Sequence, residues 1–237
     1  MSHLENAVVS REEWLKARIK HLEQEKEFTR QRDALNQARR ELPWVKVEKD
    51  YRFQTSAGER PFTDLFGDKS QLIVQHFMFG PDWEEGCVSC SFWADGYDGF
   101  QVHLAQRDAA MVSVSNAPLE RLLNYRDRMG WSFEWVSSLG NDFNRDFNVS
   151  FTEEELATSS GTYNYRPSKF PMTEAPGISI FYKNEAGEIF HTYSCFSRGL
   201  DMMNAAYHYM DLLPKGRDEN DLPHSMAWLK RHDQYED

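Results

Sequence analysis

The stretch Gln71-Leu72-Ile73-Val74-Gln75-His76-Phe77-Met78-Phe79-Gly80-Pro81-Asp82-Trp83-Glu84-Glu85-Gly86-Cys87-Val88-Ser89-Cys90 carries most of the information about how this chain folds. Residues 71–79 are almost continuously apolar and rich in β-branched and aromatic side chains, the pattern of a central strand buried on both faces. Gly80-Pro81 ends that strand. Cys87 then opens a helix expected to run to about Arg107 through Phe92, Trp93, Tyr97, Phe100 and Leu104. Two cysteines three residues apart on a first helical turn come within disulfide range, where Cα atoms sit about 5.5 Å apart. A helix N-terminus carries roughly half a positive charge and free N–H groups, which favour a thiolate on the first cysteine. Cys87 is therefore the expected exposed nucleophile, and Cys90 the resolving thiol.

On either side of this stretch the sequence continues the alternation. Residues 111–115 read as a strand, Asn116-Ala117-Pro118 starts a helix through Leu122, Leu123 and Tyr125 that closes at Met129-Gly130, and residues 133–136 read as a short strand. Strand, helix, strand, helix, strand implies parallel pairing through right-handed crossovers. Residues 51–55 alternate like a strand, Ala57-Gly58-Glu59 is a turn, and residues 62–66 suit a short helical turn. Residues 178–182 and 189–193, with a turn at 184–187, form an antiparallel hairpin. A last helix is expected over residues 200–213, ended by Pro214-Lys215-Gly216.

At the amino end, residues 10–41 read as one long helix. Ser10 and Glu13 form a capping box, Trp14, Leu15, Ile19 and Leu22 make an apolar stripe, and Pro43 stops the run. That helix is either an element docked by its first turns or an arm for a homodimer. Residues 137–175 carry Gly, Asn, Ser and Pro clusters, and an unstructured loop so long is unusual in a compact domain. Short helices in an insertion near the active face are expected there. The organisation is thus a helical extension over 1–43, a domain over 44–216 with its 137–175 insertion, and a charged tail over 217–237 packed on the domain through Trp228.

Bulk properties narrow the function classes. With 16 Phe, 10 Tyr and 7 Trp in 237 residues there is ample material for a core. A formal charge of −11 opposes non-specific binding to nucleic acid or an anionic membrane. Met1-Ser2-His3-Leu4-Glu5 has no basic stretch leading into an apolar run, so no secretory leader is expected, and no apolar run approaches the roughly 18 residues of a membrane span. Three cysteines do not make a secreted disulfide framework. A cytoplasmic setting is the expectation.

The strand–loop–helix carrying C-x-x-C, the β-α-β-α-β alternation and the closing hairpin together read as an α/β thioredoxin-like fold: a central mixed sheet flanked by helices, with a long N-terminal helix and an insertion before the final hairpin. In such folds a cis-proline just before the hairpin faces the cysteine pair. Pro176, in Glu174-Ala175-Pro176-Gly177, holds that place and is expected in cis. Several segments carry a closer likeness: Phe79-Gly80-Pro81-Asp82-Trp83-Glu84-Glu85-Gly86-Cys87, Met129-Gly130-Trp131, Trp135-Val136-Ser137-Ser138, Arg198-Gly199-Leu200-Asp201, Val9-Ser10-Arg11-Glu12-Glu13-Trp14 and Met226-Ala227-Trp228. In these the chain resembles, over nearly its whole length, the thioredoxin-like family catalogued as domain of unknown function 899. The resemblance implies the fold and no particular activity. Ordinary thioredoxins resemble W-C-G-P-C, whereas Gly86, Val88 and Ser89 stand around these cysteines, so a thioredoxin potential does not carry over. The peroxiredoxin pattern P-x-x-x-T-x-x-C is absent, because counting from Pro81 places Glu85 and Val88 at its threonine and cysteine positions.

The site expected from these readings comprises Cys87, Cys90 and Pro176, with Trp83, Trp93 and Ala175 as substrate contacts. Trp83 reads equally well as a plug that folds its loop, and Glu84 and Glu85 oppose thiolate formation if they lie close. Cys195, beside Tyr193 and Phe196, reads as a small buried hydrophobe, and His76 and His191 as hydrogen-bonded packing residues. A zinc site of Cys87, Cys90, Cys195 and a histidine would need Cys195 to approach the C-x-x-C loop. No metal and no cofactor are expected. The leading function is a thiol–disulfide oxidoreductase acting on a disulfide-containing protein or a small thiol or disulfide, recycled by an external thiol reductant. A redox-sensing binding module and a different cysteine-nucleophile enzyme are the alternatives.

Overall fold

A computed structural model describes residues 6–236. Helix α1 (Arg11–Arg40) begins at the Ser10–Glu13 capping box, in which Ser10 Oγ accepts from the Glu13 N–H and the Glu13 carboxylate accepts from the Ser10 N–H. Strand β1 (Val45–Lys46) follows, then β2 (Arg52–Thr55), β3 (Gly58–Pro61) and a 3-10 helix (Phe62–Phe66). The central run comprises β4 (Gln71–His76), α2 (Val88–Tyr97), α3 (Gln101–Ala105), β5 (Ala109–Ser115), α4 (Leu119–Arg128) and β6 (Glu134–Ser137). The insertion holds α5 (Phe143–Asp146), α6 (Glu153–Thr158) and the small hairpin β7 (Thr162–Tyr163) and β8 (Arg166–Pro167). β9 (Gly177–Lys183) and β10 (Ile189–Phe196) form the closing hairpin, followed by a 3-10 helix (Ser197–Met203) and α7 (Ala205–Met210).

The main sheet has the order β1-β10-β9-β4-β5-β6-β2-β3. β4, β5 and β6 are parallel, and β9 joins β4 antiparallel with Gln75 opposite Ile178 and His76 opposite Gly177. Parallel neighbours require crossovers, which α2 with α3, and then α4, supply. This central mixed sheet flanked by helices, with the hairpin beside the first βαβ strand, is the thioredoxin-like arrangement expected from the sequence.

The period of two along β4 sorts its side chains onto opposite faces. Leu72 and Val74 join Phe62, Phe66, Phe143 and Phe181 in one apolar cluster, while Ile73 packs with Trp93 and Leu200 on the other side. Both faces are covered, so the strand reads as a continuous apolar run. Each fully buried side chain of this kind contributes roughly 1.5–3 kcal/mol.

Four expectations need correction. The helix after Cys87 does not run to Arg107: it stops at Asp98, Gly99 turns the chain at φ +93°, and α3 is a separate short helix. The last helix is likewise divided, because Asn204 leaves helical geometry and caps α7 through its side chain, which accepts from the Tyr207 N–H. The first turns of α1 are not docked, since Trp14, Leu15 and Ile19 remain 47%, 46% and 51% exposed and no α1 residue is buried. Finally, no peptide bond among the described residues is cis, so Pro176 follows a trans bond. The chain reaching Pro176 is drawn out alongside residues 149–151: Phe151 N–H donates to Thr173 O and Ala175 N–H to Val149 O. An extended approach held in this way leaves the intrinsic trans preference of about 0.5–1 kcal/mol unopposed.

Candidate functional site

Cys87 is the N-cap residue of α2 and Cys90 lies in its first turn, the thiols free and the second one buried. The backbone of Met78, just beyond β4, brackets both. Its carbonyl accepts from the Cys87 N–H at 3.1 Å, and its N–H donates to Cys90 Sγ at 3.5 Å. Gly86 is required before Cys87, because a Cβ there would lie 2.7 Å from the Phe77 ring and 2.9 Å from that of Tyr125. Ser91 secures the turn by donating to the Cys87 carbonyl at 2.9 Å, and its hydroxyl pairs with Tyr125 Oη at 2.8 Å.

The two sulfurs are made unequal. The Cys90 thiol, foremost, and then the N–H groups of Cys90 and Ser89 and the Ser89 side chain hold Cys87 down to about 7 against the opposing effect of burial. The N–H groups act through proximity, since no cap hydrogen bond closes on the Cys87 side chain. Cys90 is pushed well above the ordinary thiol range by donating to Cys87, by burial and by the charge of the neighbouring thiolate. A partly exposed, acidified thiol thus sits over a buried partner one turn away whose acidity is suppressed.

Glu85, in the acidic loop before Cys87, does not oppose this arrangement as its sequence suggests. Glu85 is paired with Arg128 and, at 2.8 Å, with Arg231, so its charge is compensated where it approaches the site. Arg231 comes from the C-terminal tail and also donates to the Gly86 carbonyl and to Tyr125 Oη, both at 2.8 Å. Asp233 holds Arg128 from the same tail, and His232 meets Asp95 of α2 at 2.7 Å. Trp228 packs edge-on against Phe92 and donates to Glu219 at 2.8 Å.

Beside the cysteines lies a cavity of about 310 Å³ whose wall is mainly apolar. Cys87, Ser89, Cys90 and Trp93 form the α2 side, Pro176 and Gln75 the sheet side, Phe170 and Met172 come from the insertion, and Ser225 and Met226 from the tail. Of the expected site residues, the fold gathers Cys87, Cys90, Pro176 and Trp93 here. Trp93 is fixed by donating from Nε1 to the Leu200 carbonyl at 3.0 Å. Trp83 and Ala175 lie outside the cavity wall. The Trp83 ring folds back over Gly80, where a Cβ would lie 2.8 Å from it, and its carbonyl accepts from Arg121. Ala175 is buried with Val149, Phe151, Tyr163 and Phe196 inside the insertion.

Sequence reasoning missed Gln75, Phe170, Met172, Ser225 and Met226 as cavity residues, along with Arg231 and Glu174. Glu174 is buried next to Pro176 and accepts from Ser150 at 2.6 Å, Asn116 at 3.1 Å and Asn144 at 3.4 Å; burial raises its carboxyl. The odd numbering that Gln75 shares with Ile73 is the one local signal for its face. Nothing local marks the tail and insertion residues, which reach the site only through tertiary packing. Cys195 is buried with Ile178 and Leu200, and burial raises its thiol. His76 Nε2 pairs with Ser179 Oγ, which pairs with Ser194 Oγ, which pairs with His191 Nε2, each at 2.7 Å. Among the described residues no group of three or more His, Cys, Asp or Glu side chains is placed to hold a metal ion. No helix among them is long and apolar enough to cross a membrane.

Fold and site together define a thioredoxin-like protein with a C-x-x-C dithiol at the start of its first crossover helix. A family model described as "Bacterial protein of unknown function (DUF899)" matches residues 3–235, and the chain belongs to that family. Among solved structures it is similar to the peroxidoxin BcpB of Mycobacterium tuberculosis, with a TM-score of 0.46 at 12% identity, covering 69% of this chain and 94% of that one. It is similar also to peroxiredoxin Q of Xanthomonas campestris, with a TM-score of 0.43 at 11% identity, covering 68% of this chain and 94% of that one. No curated protein matches.

Proposed function

We propose that the chain is a thiol–disulfide oxidoreductase. The observation that carries this reading is the division of the pair into a partly exposed Cys87 held down to about 7 and a buried Cys90 whose thiol proton faces it. In the first step the Cys87 thiolate attacks one sulfur of a substrate disulfide, forming a mixed disulfide and expelling the other sulfur as a thiolate, which takes up a proton. Cys90, losing its proton as it reacts, then attacks Cys87 Sγ. The substrate's second thiol leaves and the Cys87–Cys90 disulfide forms. Two electrons have passed to the substrate, and an external dithiol restores the pair by the reverse exchange. The cytoplasm, kept reducing by its thiol systems, is the setting that suits this cycle.

Intact mass after alkylation, measured across a graded thiol–disulfide buffer series, tests the reading. Cys87 and Cys90 should pass together from two alkylations to none within about −200 to −300 mV. A pair that remains doubly alkylated across the series would overturn it. Cys90→Ser should trap a mixed disulfide at Cys87, and Cys87→Ser should abolish reaction.

A further inference from the structure

We propose that the disulfide reduced at this site is a small apolar one and not a protein disulfide; the assignment rests on the oxidoreductase reading above. Three independent features of the fold carry it.

The first is cover. The tail crosses the cysteine face and is clipped on both sides of it. Arg231 and Asp233 hold it to the 85–86 loop and α4, while His232 and Trp228 hold it to α2. Just before the first of these clips Met226 turns into the cavity wall, its N–H donated to Glu219 at 3.0 Å. Glu219 also accepts from Tyr207 at 2.6 Å and from Trp228 at 2.8 Å, so one carboxylate gathers three donors at the base of the strap. Ser225 and Met226 of this strap share the cavity wall with Cys87, so a partner that enters the cavity must pass them.

The second is the backbone edge. A protein disulfide brings flanking peptide, which commonly docks on an open strand edge through main-chain hydrogen bonds. The segment before Pro176 leads to the cavity wall that Pro176 shares with Cys87 and Cys90, and one of its two edges is closed. Its Thr173 carbonyl and Ala175 N–H are already paired with residues 149–151 of the insertion.

The third is the cavity itself. At about 310 Å³, and roughly 30 Å³ for each water-sized group, it takes about ten non-hydrogen atoms. Its walls beside the thiolate are Trp93, Phe170, Met172, Pro176 and Met226. The charged groups at its margin, Arg198 and Asp201, are paired with each other at 3.2 Å, and Asp201 is held again by Arg217. Such a pocket accepts one alkyl or aryl arm of a disulfide. Its other polar lining, Gln75, Ser89, Ser197 and Ser225, is neutral, so a buried charge finds no free ion partner there and is costly to leave unpaired. The exchange balances as before: one arm leaves as a thiol after attack by Cys87, the arm in the cavity leaves as a thiol when Cys90 closes the intramolecular disulfide, and a dithiol reductant recycles the pair.

The test is the single-turnover rate at which the reduced, full-length chain loses its two alkylatable thiols. The oxidants are dibutyl disulfide, glutathione disulfide and oxidised insulin at equal disulfide concentration. Dibutyl disulfide should react at least tenfold faster than either of the others. Equal or faster reaction with insulin or with glutathione disulfide would overturn the substrate assignment and leave the oxidoreductase reading standing. Reaction with none of the three would overturn both. Met172 is exposed, so Met172→Trp fills the cavity without disturbing the core. It should slow dibutyl disulfide at least tenfold, and by a larger factor than glutathione disulfide. Equal slowing of both would also overturn the assignment.

Discussion

Arg231 donates from its guanidinium to the carbonyl of Gly86, the residue immediately before Cys87, at 2.8 Å across 145 positions of sequence. The same guanidinium reaches Tyr125 Oη at 2.8 Å and Glu85 at 2.8 Å. One side chain of the tail therefore anchors the loop that positions the thiolate, and it compensates the carboxylate that would otherwise repel that thiolate.

Arg231→Ala should leave the largely buried Gly86 carbonyl and the Glu85 carboxylate short of a partner. A lost buried hydrogen-bond partner costs about 1–3 kcal/mol. For a chain of this size that corresponds to a fall of very roughly 2–10 °C in the unfolding midpoint. Urea and thermal melts of the reduced variant check this. Arg231→Lys should recover only part of the loss, because an ammonium does not reproduce the forked contact to three partners.

The pH profile of Cys87 alkylation should have its midpoint near 7, the value to which hydrogen bonding chiefly from Cys90 brings it. Below that midpoint the rate should fall about tenfold per pH unit as the thiolate is protonated, and above it the rate should level off. Cys90→Ala removes the leading cause, so the midpoint should move upward. An unchanged midpoint in the variant would show that the helix N-terminus alone sets the acidity.

Acidification should destabilise the fold through His76. Burial, with His191 nearby as a second cause, holds this histidine down to about 3, and its ring packs against Phe143 and Phe147. Its Nε2 engages Ser179, its Nδ1 has no partner, and His191 with the two serines completes the polar surroundings. The unfolded chain binds the proton near pH 6.5 and the folded one only near 3. Between those values the unfolded state holds more protons, so stability falls as pH falls, by up to about 1.4 kcal/mol per pH unit from this group. Urea midpoints between pH 7 and 4 should show this slope, reduced by one proton in His76→Gln.

Deleting residues 1–36 should leave the urea midpoint of the remaining chain within about 0.5 kcal/mol of the parent, as for changes at exposed positions. No residue of α1 is buried, and its aromatic contact with the body is Arg39 over Tyr193, retained in the deletion. Far-UV circular dichroism should lose the signal of a long helix at the same time. A loss above about 2 kcal/mol would show that α1 is held by a partner in solution.

Much of this protein is legible along the chain because the relevant information is local. Residues 72–79 alternate between two buried faces, Ser10 and Glu13 close a cap, and Cys87 and Cys90 fall on one helical turn whatever else the fold does. The shortfalls have physical causes of the opposite kind. The apolar series from Phe92 to Leu104 conceals the break at Gly99, since periodicity does not register a positive φ. Trp83 falls outside the cavity wall, its ring folded over Gly80, a placement that no local pattern signals.

The parallel βαβ order, the hairpin and the dithiol are properties of the linear chain, since period, turn chemistry and helix-end electrostatics act over a few residues. How the two thiols are served is a property of the packed molecule. Burial separates their acidities, Arg231 neutralises Glu85 from the far end of the chain, and the insertion and tail close a small apolar cavity over Cys87. Those effects depend on desolvation and on contacts between segments far apart in sequence, and such distances are set only when the core is packed.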